Sequence, residues 1–195
     1  QIAVDEKGLE CELQPGEGAF YGPKIDFSLR DCIGRVWQCG TIQADFSMPG
    51  RLGAHYVDEN SEKQVPVMLH RAILGSFERF IAVLLEHYAG NLPLWLAPVQ
   101  FAVATVTNGS DDYAAEVHEL LAKAGLHGLL DTGADKIGYK VRQHSTSKVP
   151  VILAVGKREA EERTVSIRRL GSRDQQSLAL ADAIHTLTNE SQPPA

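Results

Sequence analysis

The chain has 195 residues, of which 44% are hydrophobic and 23% charged, and a formal net charge of −6; this composition is typical of one or two folded domains and excludes a disordered or fibrous protein. No run reaches the roughly 18 apolar residues of a membrane span, and the first residues lack the basic start of an export signal. Cys11, Cys32 and Cys39 form no C-x-x-C pair, which excludes a disulfide scaffold and indicates reduced thiols in the cytoplasm.

The first half of the chain predicts a hairpin followed by a long helix. Residues 24–29 and 35–46 are predicted as strands joined by a turn, and the second strand carries polar side chains on both faces. The helix has apolar residues at spacings of three and four, opens at His70 and ends at Gly90. Its apolar stripe comprises Ile73, Phe77, Phe80, Ile81, Leu84, Leu85 and Tyr88.

Two prolines near residues 92–98 divide the chain, and we expect one domain over residues 1–94 and another over residues 95–195. After the prolines, strands and helices alternate, which predicts a compact α/β domain on a mixed sheet. The predicted strands cover residues 99–106, 126–130, 149–155 and 164–169, and the predicted helices cover residues 111–124, 135–145 and 177–188.

Basic residues concentrate in the second half. Residues 135–173 contain ten Lys and Arg against four Asp and Glu, an excess that indicates a surface for a polyanion. The alternative is an ordinary solvated surface on which acidic neighbours balance the basic side chains.

Residues 70–79 suggest a ligand site beside a helix. If Arg79 lies one helical turn after Gly75 and Ser76, the small residues leave backbone open next to a guanidinium that always carries its charge. A flat or phosphorylated ligand could lie there; a surface arginine is the alternative. His70 could bind a metal, but spacing alone indicates no partner ligands, and a structural histidine is the alternative.

A third candidate site lies on the predicted hairpin. Antiparallel pairing would bring one set of polar side chains together on the sheet, where a ligand could complete their hydrogen bonds. The alternative is a polar sheet face that is simply exposed to solvent. We found no nucleophile with a base beside it, which weighs against covalent catalysis. The set comprises Tyr21, Lys24, Asp26, Gln38, Thr41, Gln43 and Asp45.

Three segments together resemble a known family. Residues 18–24, 37–43 and 70–79 resemble, in order, the end of the catalytic domain of threonyl-tRNA synthetases, and the third resembles the class II motif 3. From Pro98 onward the chain resembles the anticodon-binding domain shared by the threonyl, prolyl, glycyl and histidyl enzymes. The expected fold is therefore α/β: the end of an antiparallel-sheet class II catalytic domain, followed by a mixed-sheet anticodon-binding domain.

The resemblance assigns nucleotide contacts to five residues. Arg79 matches the motif 3 arginine that holds ATP phosphate and is the expected catalytic residue. Gly75 and Ser76 border the adenine, and Gln38 and Thr41 match further nucleotide-contacting positions. Magnesium is implied together with ATP, because magnesium and arginines stabilise the charge on the reacting phosphates.

The resemblance also implies a threonine site. Tyr21 and Gln43 match residues that contact threonine, and His70 matches the third protein ligand of the family's zinc. That zinc binds the amino and hydroxyl groups of threonine, which rejects valine far better than an apolar pocket could.

The second half departs from the family at its implied anticodon contacts. Glu159 and Arg168 match the family, whereas Lys148 stands where an arginine is expected. Gly133 and Ala134 stand where an arginine and then an asparagine are usual. We expect these changes to weaken the reading of bases while leaving the attraction for phosphate largely intact.

The implied function is that of the C-terminal portion of a threonine-tRNA ligase, with tRNA and threonine as partners and neither DNA nor a membrane. Motifs 1 and 2, two zinc ligands and the editing domain would precede Gln1, so this chain alone should be inactive and lack tight zinc binding. The complete family enzyme is a homodimer. The alternatives are a synthetase-like RNA-binding module without ligase chemistry and a purely structural protein.

Overall fold

The computed structural model describes residues 2–194. The chain folds into two compact units, with the division between His87 and Tyr88. The predicted boundary, after Leu94, lies later in the chain. Among the described residues, no helix is long and apolar enough to cross a membrane.

The first unit is built on an antiparallel three-stranded sheet in the order β1-β2-β5, and β3 and β4 form a separate two-stranded hairpin. Its strands are β1 (Lys24–Arg30), β2 (Val36–Asp45), β3 (Tyr56–Val57), β4 (Lys63–Gln64) and β5 (Met68–Ala72). Its helices are α1 (Ile2–Glu6), α2 (Met48–Arg51) and α3 (Phe77–His87).

The long helix begins later than its apolar spacing predicted. Residues 68–72 form β5 instead, where His70 pairs with Gln43 of the neighbouring strand. Gly75 has a φ of +68°, a left-handed conformation that cannot belong to an α-helix. The helix then starts at Phe77, and the Ser76 hydroxyl accepts a hydrogen bond from the Arg79 N–H at 3.2 Å, as a helix N-cap does. The prediction that His70 opens the helix was therefore wrong.

The first unit has almost no core of its own. Among its described side chains, Cys39 and Pro49 are the only apolar ones that are buried. Phe77 and Ile81 on α3 are 70% and 49% exposed, and Phe27 on β1 is 46% exposed. A folded protein does not ordinarily leave this much apolar surface in water, and such a surface marks a place where other protein packs.

The second unit has one mixed five-stranded sheet in the order β10-β9-β8-β6-β7. β6 runs parallel to β7 and β8, whereas β9 is antiparallel to β8 and β10. Its strands are β6 (Phe101–Thr105), β7 (Gly128–Asp131), β8 (Val151–Val155), β9 (Thr164–Arg169) and β10 (Gln175–Ala179). Its helices are α4 (Asp111–Lys123), α5 (Ile137–Thr146), α6 (Lys157–Glu162) and α7 (Leu180–Glu190).

This architecture confirms the predicted mixed α/β domain, with two differences. Residues 157–162 form a helix that was not predicted. Residues 175–179, the last three of which were assigned to the final helix, pair with β9 as a strand, and α7 starts at Leu180. The central strands β6 and β8 are almost entirely buried, and α4 and α7 contribute Val117, Leu121 and Leu187 to the same core.

Candidate functional site

A β-bulge gathers polar side chains on one face of β2. The pairing register between β1 and β2 shifts by one residue because Cys39 has no partner of its own in β1. Alternate residues of β1 therefore lie opposite Gln38, Thr41 and Gln43 in turn. Strict alternation along β2 would have placed Gln38 on the other face. The bulge brings the three polar residues to one side of the sheet.

Tyr21, Gln43 and His70 come into contact beside this face. The Tyr21 hydroxyl donates a hydrogen bond to Gln43 Oε1 at 2.6 Å, and the Tyr21 and His70 ring centroids are 5.8 Å apart. The neighbouring Gly22 permits the close approach, because a Cβ there would lie 2.1 Å from the carbonyl oxygen of Ala44. The structure thus joins three residues from separate sequence segments.

A buried carboxylate holds the His70 ring. His70 Nε2 and Asp45 Oδ2 are 2.9 Å apart, and Asp45 Oδ1 accepts hydrogen bonds from the N–H groups of Ser47 and Met48. Burial alone would raise the pKa of Asp45, but these hydrogen bonds outweigh it and lower that pKa. The carboxylate is therefore ionised at neutral pH and fixes the orientation of the imidazole.

A carboxylate behind an imidazole is typical of metal-binding histidines, but a zinc site needs three or four protein ligands. The part of the chain that the structure describes contains no group of three or more His, Cys, Asp or Glu that could hold a metal ion. His70 could therefore supply one ligand, and these residues by themselves do not fit a zinc site.

The adjoining part of the face holds an ion pair and a buried hydroxyl. Lys24 Nζ lies 2.7 Å from Asp26 Oδ2, and this hydrogen bond lowers the pKa of Asp26 and raises that of Lys24. The Thr41 side chain, directly opposite Asp26, also helps to lower the pKa of that carboxyl, although Thr41 Oγ1 is buried and forms no hydrogen bond of good geometry with a described residue. Thr41, Gln38 and Asp26 therefore form one polar cluster on this face.

The segment before α3 lies against the bulge. A Cβ on Gly75 would be 3.2 Å from the carbonyl oxygen of Cys39, so Gly75 allows backbone to approach backbone here. Ser76 and Arg79 follow at the start of α3. The interpretation that Gly75 lies one helical turn before Arg79 was wrong, because Gly75 precedes the helix.

The Arg79 side chain lies over the indole of Trp37, with its guanidinium carbon 5.3 Å from the ring centroid. Arg35 makes a similar contact at 5.4 Å, and Trp37 Nε1 donates a hydrogen bond to Asp31 at 2.9 Å. Burial raises the pKa of Asp31, but hydrogen bonds from Trp37 and Arg35 outweigh burial and lower it to about 2. Neither Trp37, which begins the 37–43 segment, nor Asp31 was assigned a site role from the sequence.

The structure therefore brings together some, but not all, of the predicted site residues of the first unit. Tyr21, Gln43 and His70 are in contact, and Gln38 and Thr41 share their face of β2 through the register. The Arg79 side chain lies over Trp37 and forms no hydrogen bond with Gln38 or Thr41 in the described part of the chain.

In the second unit, a buried lysine ties the ends of β6 and β7 to α5. Lys140 is 1% exposed, and its Nζ donates hydrogen bonds to Thr105 O, Thr105 Oγ1 and Asp131 O at 3.0, 3.1 and 3.2 Å. His144 Nε2 lies 2.8 Å from Asp131 Oδ2. Burial raises the pKa of Asp131, but His144, a backbone N–H and the charge of Lys140 together lower it. Lys140 is thus structural and contributes no surface charge.

The remaining basic residues of the 135–173 segment fall into two groups, those that form an ion pair and those that form none. Four are paired with carboxylates: Lys157 with Glu161, Arg158 with Glu159, Arg163 with Glu116 and Arg169 with Glu190. Five form no ion pair with any described residue: Lys136, Arg142, Lys148, Arg168 and Arg173. Charge available to a polyanion is therefore about half of what the sequence count suggests.

Arg168 lines an open groove of about 500 Å³ beside α5, together with Arg142 and Gln175. Lys148 lines a different cavity, of about 490 Å³, with Trp95. Glu159 lines neither cavity; its Oε2 accepts a hydrogen bond from the Gly156 N–H at the start of α6. The three implied anticodon contacts are therefore not gathered in one cavity.

Comparisons with known proteins match both units. The family "tRNA synthetase class II core domain (G, H, P, S and T)" matches residues 5–88, and the family "Anticodon binding domain" matches residues 100–190. The chain is 58% identical over 195 residues to the threonine–tRNA ligase of Chelativorans sp. strain BNC1 and 61% identical over 188 residues to that of Paramagnetospirillum magneticum strain AMB-1. These alignments cover 100% and 96% of this chain, which spans about 30% of the length of each relative.

A solved structure agrees. The crystal structure of the RNA binding domain of threonyl-tRNA synthetase from Cryptosporidium parvum Iowa II superposes with a TM-score of 0.90 at 38% identity, covering 98% of this chain and 48% of that one. The two family matches fall on the two structural units, and the two relatives align along 96–100% of the chain. The chain therefore joins a segment of a class II tRNA synthetase core domain to an anticodon-binding domain.

Proposed function

We propose that this chain is the C-terminal part of a threonine–tRNA ligase, which forms threonyl-adenylate from threonine and ATP and then transfers threonine to its tRNA. The observation that carries the proposal is the contact between Tyr21, Gln43 and His70. These are the three positions at which the family resemblance implies threonine recognition. The identity of 58–61% to threonine–tRNA ligases supports the same substrate.

In the proposed threonine site, Tyr21 and Gln43 hydrogen-bond the amino acid, and the Asp45 carboxylate holds the His70 ring for one zinc contact. Zinc would favour a substrate that carries a hydroxyl. Because the described residues supply no further ligand set beside His70, we expect zinc binding only in a longer polypeptide.

The proposed ATP site continues along the polar face of β2. Gln38 and Thr41 would contact the nucleotide, and their position on one face of β2 supports this role. Gly75 and Ser76 would border the adenine. Arg79 would leave Trp37 to hold a phosphate, where its permanent charge stabilises the negative charge that develops during adenylation. Magnesium, which class II synthetases use with ATP, would add charge stabilisation at the phosphates.

The chain alone is expected to be inactive. The apolar surface that the first unit leaves exposed supports the packing of further catalytic-domain structure against it, and the longer protein is proposed to act as a homodimer. The second unit would bind tRNA, with Lys148, Glu159 and Arg168 as candidate anticodon contacts. We place this activity in the cytoplasm, where three free thiols would remain reduced.

A second function, an RNA-binding module without ligase chemistry, is favoured by one observation. The buried hydrophobic core lies in the second unit, and the residues of this core come from positions 94–187. The second unit therefore has the core of a self-supporting domain, which the first unit lacks. Such a module would bind tRNA without needing the adenylation site.

A chimera separates the two functions. This chain would replace the matching 195 residues of the Chelativorans threonine–tRNA ligase, and threonylation of tRNA would be measured. We expect turnover with threonine, and Gln43→Leu should raise the KM for threonine by at least about tenfold, since one lost hydrogen bond to a charged substrate costs about 1.5–3 kcal/mol. Gln14→Leu, at an exposed glutamine, is the matched control. A folded chimera that binds tRNA without threonylating it would favour the module.

A further inference from the structure

The groove beside α5 contains two unpaired arginines, although three of the six arginines of the second unit pair with carboxylates. Arg163 and Arg169 each form two hydrogen bonds with one glutamate. Arg142 and Arg168, which line the groove, form neither an ion pair nor a side-chain hydrogen bond with any described residue. A guanidinium keeps its charge at every physiological pH and forms bidentate hydrogen bonds with phosphates. No carboxylate among residues 88–194 pairs with either arginine, so the groove can accept an anion.

Gln175 adds a different kind of group to this groove. It begins β10 and lies directly opposite Arg168 in the antiparallel register with β9, so the two Cβ atoms are about 5 Å apart. Gln175 is exposed, and its side-chain amide has no hydrogen-bond partner within residues 2–194. An amide presents a donor and an acceptor side by side in one plane, which is the pattern that a nucleobase edge pairs with.

The combination points to one ligand chemistry. An anion alone would need the arginines and leave the amide without a partner, whereas a nucleotide in a single-stranded loop offers a phosphate and an exposed base edge close together. Ser145 and Thr146 add hydroxyls on the α5 side of the groove. The groove is open, so a loop can lie along it with its stem in solvent.

We propose that Gln175 reads the edge of one base in the anticodon loop and that Arg142 holds a neighbouring phosphate, beside Arg168. The proposal rests on the proposed function, because it takes tRNA as the ligand. It supplies a base-reading amide at a position other than Ala134, where the resemblance implied an asparagine.

The test measures the affinity of the 195-residue chain for hairpin RNAs. One hairpin carries a threonine anticodon stem and loop, and in each of the others one anticodon base is changed. Gln175→Leu should reduce the preference for the threonine hairpin over one changed hairpin by about tenfold, the value of one bidentate base contact. Arg142→Met should weaken binding to all hairpins alike and lower the slope of log affinity against log salt by about one.

Arg173→Met is the matched control, because Arg173 is an exposed, unpaired arginine that does not line the groove. If Gln175→Leu and Arg142→Met change binding no more than Arg173→Met does, while Arg168→Met still abolishes it, this inference is overturned and the proposed function stands. If the unmodified chain does not bind the threonine hairpin, both are overturned.

Discussion

Replacing Lys140 by methionine should destabilise the second unit severely. The ammonium group is buried, makes three hydrogen bonds and lies 3.7 Å from the Asp131 carboxylate. Methionine would fill a similar volume but would leave the acceptors of Thr105 and Asp131 without their donor. Breaking a buried charged pair by removing one partner costs about 3–5 kcal/mol. With roughly 5 °C per kcal/mol for a unit of this size, Tm should fall by about 15–25 °C.

Urea unfolding, with hydrogen exchange followed in peptides from β6 and β7, measures this cost in the second unit. The matched control is Lys136→Met, at an exposed lysine that no described carboxylate contacts, which should change stability by less than about 0.5 kcal/mol. A loss below about 1 kcal/mol for Lys140→Met, with an unchanged urea dependence, would refute the view that Lys140 anchors β6 and β7 to α5.

Two further predictions concern the first unit. The pKa of Asp31, about 2 against an ordinary 3.8, means that the ionised carboxylate stabilises this unit fully above about pH 4 and progressively less as the pH falls toward 2. Asp31→Asn should abolish that part of the acid transition in Trp37 fluorescence, and an unchanged transition would contradict the assignment. Gly22→Ala should raise the KM for threonine in the chimera by separating Tyr21 from Gln43. Gly18→Ala, whose Cβ would meet nothing closer than 3.8 Å, should leave that KM unchanged, and equal effects of the two substitutions would exclude this reason.

The sequence motifs located the polar residues of β2 but could not predict how these residues come to lie on one face of the sheet. Strict alternation would place Gln38 and Thr41 on opposite faces of β2, whereas the bulge at Cys39 places them on the same face. A bulge depends on the register with the partner strand, which side-chain alternation does not report. The contact between Tyr21 and Gln43 likewise depends on a backbone approach at Gly22 that no spacing rule contains.

The start of α3 shows a conflict between two local signals. Ile73 and Phe77 fit a helical stripe, but strand pairing of residues 68–72 with β2 and the left-handed Gly75 end the strand before the helix starts. Tertiary pairing decided between them, as it commonly does for short apolar runs.

Charge counting overestimated the positive charge that residues 135–173 can offer to a polyanion. Lys140 lies inside the protein, and the carboxylates that pair with Arg163 and Arg169 come from residues 116 and 190, outside the counted segment. Pairing across the fold is a property of three-dimensional proximity, so a composition window cannot detect it. Gln175 was missed for the same reason, because only the β9–β10 register places it beside Arg168.

The central claim is that this chain carries one part of an adenylating pocket whose remainder lies elsewhere in the polypeptide. Threonine-dependent exchange of pyrophosphate into ATP, measured side by side for the 195-residue chain and for the chimera, tests it most directly. We expect exchange by the chimera, its loss on Arg79→Ala, and none by the chain alone. Exchange by the chain alone, or a folded chimera that performs none, would contradict it.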